Sequence, residues 1–454
     1  MQAPRPSSAP ALITLAASFG FAVVQLDVTI VNVALPSLGR TFAGGVEGLQ
    51  WVVDAYTLAF AVLLLGAGGL GDRFGARLGY LWGFGLFAVA SLACGLAPNG
   101  GALIAARAAQ GAGAALLVPN SLAVLNAAHH RDPKGRARAI GIWTAAGGVS
   151  IAAGPVLGGL LVASLGWRSI FLVNLPVCAL GAWLTLATTT KESPAGAPRP
   201  LDLPGQALAA LALTGLIGSV IEIRARGLGD PLVLGGLALF VIGGWAFACV
   251  ERRSAAPMLP LAVFRKPAFS AALAFGVVVN LAYYGTIFVL ALYLQDAHHW
   301  TPMQAGLGFL PLTATFIVSN LLSGWAVGRF GPRAPMVAGA AVGAGGYALL
   351  VGLDATSPFA AMLPGFLLIP IGMGLGVPAM TTAILAAVDK AWSGTASAVL
   401  NAARQAGGAI GVAAFGLITG ARGPVGGLHG AAIASGILLL AGSAIAAMWV
   451  RDRG

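Results

Sequence analysis

From Leu12 to Val450 the chain returns repeatedly to apolar stretches, each closed by charged residues or by proline and glycine clusters. Stretches of roughly twenty residues match a hydrocarbon core of about 30 Å when coiled as helices. In lipid every backbone amide must be satisfied within its own segment, so repeats of this length form helices and not the short alternating strands of a barrel. Only 9% of the residues are charged and 58% are hydrophobic, where ordinary soluble domains carry about 25% charged residues. The chain therefore reads as an all-α polytopic membrane protein. Its first stretch, 12–35, lacks a small-residue cleavage site and is followed by further spans, so it reads as a retained helix.

Breaks at charge, proline and glycine clusters divide the chain into fourteen spans, near 12–35, 49–70, 78–97, 101–127, 137–163, 168–189, 205–223, 231–250, 268–294, 302–327, 335–353, 358–386, 394–420 and 430–450. With the N-terminus in the cytoplasm, eighteen of the 25 basic residues fall on the cytoplasmic side. Five fall on the other (Arg40, Arg168, Arg224, Arg226 and Arg422), and Arg107 and Arg404 lie within spans. This bias puts both termini in the cytoplasm and requires an even number of spans. It also accounts for the net charge of +11 without a nucleic-acid partner. Cys94, Cys178 and Cys249 are isolated in apolar stretches and read as small buried hydrophobes.

An internal repeat organises these spans. Gly68-Gly69-Leu70-Gly71-Asp72-Arg73-Phe74-Gly75-Ala76-Arg77 follows the second, and Gly324-Trp325-Ala326-Val327-Gly328-Arg329-Phe330-Gly331-Pro332-Arg333 follows the tenth. Both read Gly-x-x-x-x-Arg-Phe-Gly-x-Arg. A charged turn explains one copy; the second, at the equivalent place, indicates two related bundles. The expected domains are a six-helix bundle over 1–190, a Pro-rich linker and inserted helix pair over 191–266, and a second six-helix bundle over 267–454.

Within the first span, Asp27 lies roughly 13 Å inside the end marked by Pro36, at membrane depth. An ionisable group there is costly and persists when it faces a cavity or a partner. It reads either as a functional carboxylate or as an interior polar residue holding two helices together. Arg107, in the fourth span, is its natural complement, and the sequence leaves their contact open. Asp54 and Glu222 stand near the outer ends of their spans and read as structural residues reaching the interface.

At this point the sequence resembles the major facilitator superfamily, in particular its fourteen-span drug:proton antiporter branch of the EmrB/QacA type. The resemblance covers essentially the whole chain. The 68–77 loop looks like the family's signature loop, with Gly68, Asp72, Arg73, Gly75 and Arg77 in place and Ala76 where a basic residue is common. Gly324, Arg329, Gly331 and Arg333 repeat it. Leu103-Ile104-Ala105-Ala106-Arg107-Ala108-Ala109-Gln110-Gly111 is similar to the fourth-span motif. Gly147, Gly154, Pro155, Gly158 and Gly159 resemble the fifth-span antiporter motif, Trp167 to Pro176 the entry to the sixth span, and Leu26 to Pro36 the first-span motif. Arg404-Gln405-Ala406-Gly407-Gly408 also looks like the branch.

The resemblance implies a secondary transporter of the cell (inner) membrane that exports lipophilic small molecules in exchange for protons. Asp27 and Arg107 would couple the proton, the two loops would switch conformation, and the bent fifth helix would seal the pathway. Energy would come from the proton gradient, with no cofactor or metal; the sequence does not fix the oligomeric state, for which a monomer in the bilayer is the expectation. Asn32, Gln110, Asn120, Asn280, Tyr284, Asn320, Asn401 and Gln405 are candidates to line a midplane cavity, although polar residues in spans also bridge helices. No acid falls within the tenth span, which argues against strongly dicationic substrates. Trp51, Trp167 and Trp300 read as interface anchors. His129-His130 and His298-His299 read as solvated loop pairs. No lysine follows a glycine, so no P-loop is present. An uncoupled facilitator or importer, with Asp27 binding substrate, is the alternative within transport. A membrane-embedded enzyme is the alternative outside it, and the sequence lacks the clustered histidines and acids such an enzyme would show.

Overall fold

The computed structural model describes residues 10–42, 45–129, 132–189, 202–254, 261–388 and 393–450, and all regular structure in them is helical. We number the helices α1 (Pro10–Phe42), α2 (Val46–Phe74), α3 (Ala76–Gly95), α4 (Gly100–Ala128), α5 (Pro133–Leu165) and α6 (Ser169–Thr188). There follow α7 (Leu203–Arg226), α8 (Pro231–Arg253), α9 (Pro267–Leu292), α10 (Pro302–Phe330), α11 (Arg333–Leu350), α12 (Phe359–Ala386) and α13 (Ser393–Trp449). Among the described residues, twelve helices are long and apolar enough to cross a membrane. Most of the linker 193–204, with Lys191 and Arg199, lies outside the described residues, as do Arg131 and Lys390.

Helix starts follow from local chemistry. The side chains of Asn99, Asp132, Asp202, Asp230 and Thr301 accept from backbone amides of the first turn. Proline follows at or near the first helical position of α5, α7, α8, α9 and α10, where a missing N–H costs nothing. The two copies of the repeat close their helices alike. Gly75 (φ 92°) ends α2 and Gly331 (φ 71°) ends α10, each in a backbone region that side chains resist. Their amides donate to the carbonyls of Gly71 and Val327, four residues back in both cases. Arg73 lies over the Phe74 ring at 5.6 Å and Arg329 over Phe330 at 5.7 Å.

Two expected spans are interrupted and two others run nearly into one another. In α6 the helix breaks at Val173, and in α10 at Phe309, ahead of Pro311. The expected loop between 420 and 430 is nearly absent. Residues Ser393–Trp449 form two helices that meet at Gly423 (φ 72°, ψ 175°), with Pro424 directly after it. A Gly-Pro step turns the chain without a loop, which composition alone does not reveal.

Helices α1 to α6 pack on one another, with α1 between α4, α5 and α6. A second group forms around α9 and α13. Helix α7 leans on both: Leu58 and Val62 of α2, Ile217 and Ile221 of α7, and Ala409 and Ala413 of α13 make one apolar cluster. The groups join at the end where α1 passes into α2. There Gln50 Nε2 donates to the carbonyls of Ala413 at 2.7 Å and Val412 at 3.3 Å. In return Gln295 Nε2 donates to the Val33 carbonyl at 2.9 Å. Helices α5 and α10 touch backbone to backbone at the same end, where a side chain on Gly159 would begin 2.6 Å from the Pro302 carbonyl oxygen. Toward the other end Val149 of α5 is 60% exposed and Leu321 of α10 is 75% exposed.

Candidate functional site

Asp27 is buried completely, on the face of α1 turned toward α4 and α6. Its Oδ2 accepts from Arg107 Nη1 at 2.5 Å. Its Oδ1 accepts from Gln110 Nε2 at 2.8 Å and from Asn174 Nδ2 at 3.1 Å. Three donors, one of them charged, thus converge on one fully buried carboxylate. Arg107 is itself fully engaged: Nη1 also donates to Gln110 Oε1 at 2.7 Å and Nε to the Val52 carbonyl at 3.0 Å. Its guanidinium lies 4.2 Å from the centre of the Tyr56 ring, a favourable cation–π contact. Ser91 Oγ closes the cluster, accepting from Gln110 at 2.9 Å and Asn174 at 3.4 Å.

The spacing on α4 explains the pair of donors. Arg107 and Gln110 are three residues apart and so point to the same side of the helix. Removing either partner would leave the other buried without its counter-charge.

Two narrow crevices between the helix groups lie beside it. One is lined by Val28, Asn32, Tyr56, Arg107, Tyr284 and Gln405. The other is lined by Thr29, Asn32, Pro155, Tyr283, Tyr284 and Phe309. Asn32 and Tyr284 border both. Asp27 itself does not line either crevice; Arg107 stands between it and the first.

The remaining cavity candidates separate. Asn32, Tyr284 and Gln405 line the crevices, whereas Gln110 belongs to the Asp27 cluster. Asn120 is a packing residue instead: it is buried against Gly71 and Gly79, whose missing side chains make room for it, and donates to the Leu116 carbonyl. Asn320 and Asn401 donate to carbonyls of their own helices, Phe316 and Ser397, and are not among the residues lining these crevices. Asn280 accepts from Arg404 Nε at 3.4 Å.

The fifth-helix motif divides by face. Gly147 packs on the Phe21 ring, Gly154 on Thr29 and Gly158 on the Ile30 backbone, so these positions let α5 approach α1. Pro155 and Gly159 meet the start of α10, with Gly306 against the Pro155 carbonyl. In the signature loop, Arg77 Nε donates to Thr189 Oγ1 at 2.9 Å, tying α3 to the end of α6. The Asp72 side chain lies outside the described residues.

Several expectations are corrected. Asp54 does not reach the interface: α2 begins at Val46, two turns earlier, and Asp54 is fully buried with neither carboxyl oxygen hydrogen-bonded. Trp167 is buried against Phe42 and Phe171. His129 is buried and bonded to the Leu125 carbonyl, while His130 lies outside the described residues. His298 is hydrogen-bonded to the Tyr293 hydroxyl. Glu222 needs no such correction: near the end of α7 it accepts from Arg226 at 2.9 Å and from Trp51 Nε1 at 3.3 Å, tying α7 to α2.

Sequence comparison adds independent findings. The family model described as Major Facilitator Superfamily matches residues 17–412. "Multidrug resistance protein Stp" of Mycobacterium tuberculosis is 40% identical over 410 residues, covering 90% of this chain and 76% of that protein. "Methylenomycin A resistance protein" of Streptomyces coelicolor is 38% identical, covering 88% and 83%. "Tetracenomycin C resistance and export protein" of Streptomyces glaucescens is 36% identical, covering 90% and 76%.

Proposed function

The chain belongs to the major facilitator superfamily, and on that footing we propose that it exports small lipophilic compounds in exchange for protons, its two helix groups opening alternately to either side. It is a multi-pass transporter of the cell membrane. The relatives named for drug resistance and export support the direction of transport. The observation that carries the proton assignment is the buried Asp27, held by Arg107, Gln110 and Asn174 beside the crevices.

In this reading Asp27 takes a proton from outside and releases it inside. Protonation removes the ion pair that ties α1 to α4 and leaves Arg107 on the Val52 carbonyl, the Gln110 oxygen and the Tyr56 ring. The tie between the two helices thus differs between proton-loaded and proton-free states, which lets the proton bias the arrangement of the groups. Asp27 is fully buried behind Arg107, with no exposed surface for a compound to touch, which favours proton binding over direct substrate contact.

The fourteen-span topology with both termini cytoplasmic belongs to the same proposal. At about 1.5 Å per residue a helix as long as α13 exceeds two bilayer cores, and the break at Gly423 divides it into two crossings. Counting α11 as a span completes the six, two and six arrangement over 1–190, 191–266 and 267–454. The joined end of the molecule is then its outer end.

Everted vesicles test the coupling. Export in the cell appears there as uptake, so vesicles energised to be acid inside should accumulate a transported compound. Collapsing the gradient with nigericin should abolish accumulation. Undiminished accumulation after collapse would sink the proton-coupled reading.

A further inference from the structure

Of the two arginines that the sequence places deep within spans, Arg107 and Arg404, only Arg107 pairs with a carboxylate among the described residues. Arg404, half-buried on α13, donates from Nε to the neutral Asn280 Oδ1 at 3.4 Å. Its two Nη groups make no hydrogen bond or ion pair among the described residues. A guanidinium at membrane depth without an anion is costly and marks a functional position by default.

Two facing helices fix its place. Asn280 and Tyr284 are one turn apart on α9, and Arg404 and Gly408 are one turn apart on α13. Gly408 packs on Tyr284, where a side chain would begin 3.1 Å from the ring, and Asn280 meets Arg404. These contacts form successive layers separated by one helical pitch of about 5.4 Å. The upper layer, with Gln405, lines the crevice between the groups. Arg404 lies directly beneath it, on the side away from the joined end. Tyr283, from the same turn of α9, stacks on Phe316 with ring centroids 5.9 Å apart and lines the second crevice. Tyr283 and Tyr284 stand edge to face, 77° between their ring planes, beside a cation whose terminal donors are unused.

We infer that Arg404 receives an acidic group, a carboxylate or an ionised phenol, carried on an aromatic or otherwise lipophilic compound. The two free Nη groups present the paired donors that a carboxylate accepts side by side. The aromatic body lies against Tyr283 and Tyr284, which border the crevices. Calling that compound the exported cargo rests on the transport reading above; the binding itself does not.

Three compounds with one ring system test this: 2-naphthoate, the neutral 2-naphthamide and the cationic 2-naphthylmethylammonium. Equilibrium dialysis against nanodiscs holding the protein, with empty nanodiscs as reference, should show naphthoate binding about tenfold or more tighter than the amide. The ammonium should bind more weakly still. Arg404→Gln should erase the preference for naphthoate, and Arg404→Lys should keep part of it. Equal binding of naphthoate and amide to the unaltered protein would overturn the inference, and that comparison needs no variant. So would an Arg404→Gln protein that folds and keeps the preference. Naphthoate selectivity in a protein that moves no compound against a proton gradient would retain this site while removing the export reading. Proton-driven export without charge selectivity would do the reverse.

Discussion

At the scale of single residues the centre of the molecule is one carboxylate with three donors. Truncating Arg107 to alanine leaves Asp27 buried and unpaired, which should destabilise the protein by about 3–5 kcal/mol. The same truncation in an Asp27→Asn background should cost clearly less, because no charge is stranded. Thermal unfolding of the four proteins in detergent measures the difference, and equal costs in both backgrounds would show that the pair is not coupled. Asp27 and Arg107 were legible in the sequence because a charge inside an apolar stretch stands out. Asn174 and Ser91 were not, since an uncharged polar residue in a span gives no sign of what it faces. Asn174 lies inside a recognised motif, yet nothing in that motif says that its amide points at α1. Gln110 read as a cavity residue for the same reason. Asp54 was misplaced by its nearness to the start of a span, and its missing partners appear only once α2 is seen to begin at Val46.

At the scale of elements, α5 is the helix on which small residues matter most. Gly158 has no room for a side chain, which would begin 3.0 Å from the Ile30 carbonyl, whereas nothing lies within 4 Å of the equivalent point on Gly148. Gly158→Val should therefore lower the transport rate by tenfold or more, from a packing cost of about 1–3 kcal/mol, and Gly148→Val should leave it nearly unchanged. Rates per molecule in reconstituted liposomes separate the two; similar behaviour of both would remove the α1–α5 contact from the account. Most helices were legible from apolar length and proline. The turn at Gly423 was blurred because one Gly-Pro step does the work of a loop. The place of α7 against both α2 and α13 could not be read at all, since an apolar helix does not state which neighbour covers it.

At the scale of the whole molecule, two glutamines from opposite helix groups hold the joined end, each donating to carbonyls across the interface. Replacing both Gln50 and Gln295 by leucine removes hydrogen bonds worth about 0.5–1.5 kcal/mol each, and the open form at that end should gain roughly tenfold in population. Distances between spin labels on the α1–α2 and α9–α10 turns report this, and an unchanged distribution would mean that the bonds do not hold the closed form. The repeat made the two-bundle plan visible, because Gly75 and Gly331 perform the same backbone turn in both copies. Which end is joined was not visible, because contacts between bundles leave no periodic trace. The claim on which all of this rests is that Asp27 carries the exchanged proton, and purified protein in liposomes addresses it directly. Under an imposed pH gradient the unaltered protein should drive net movement of a transported compound with counterflow of protons. Asp27→Asn should lose that movement while still exchanging labelled for unlabelled compound across the bilayer. An Asp27→Asn protein that still moves the compound and protons against each other would contradict the assignment.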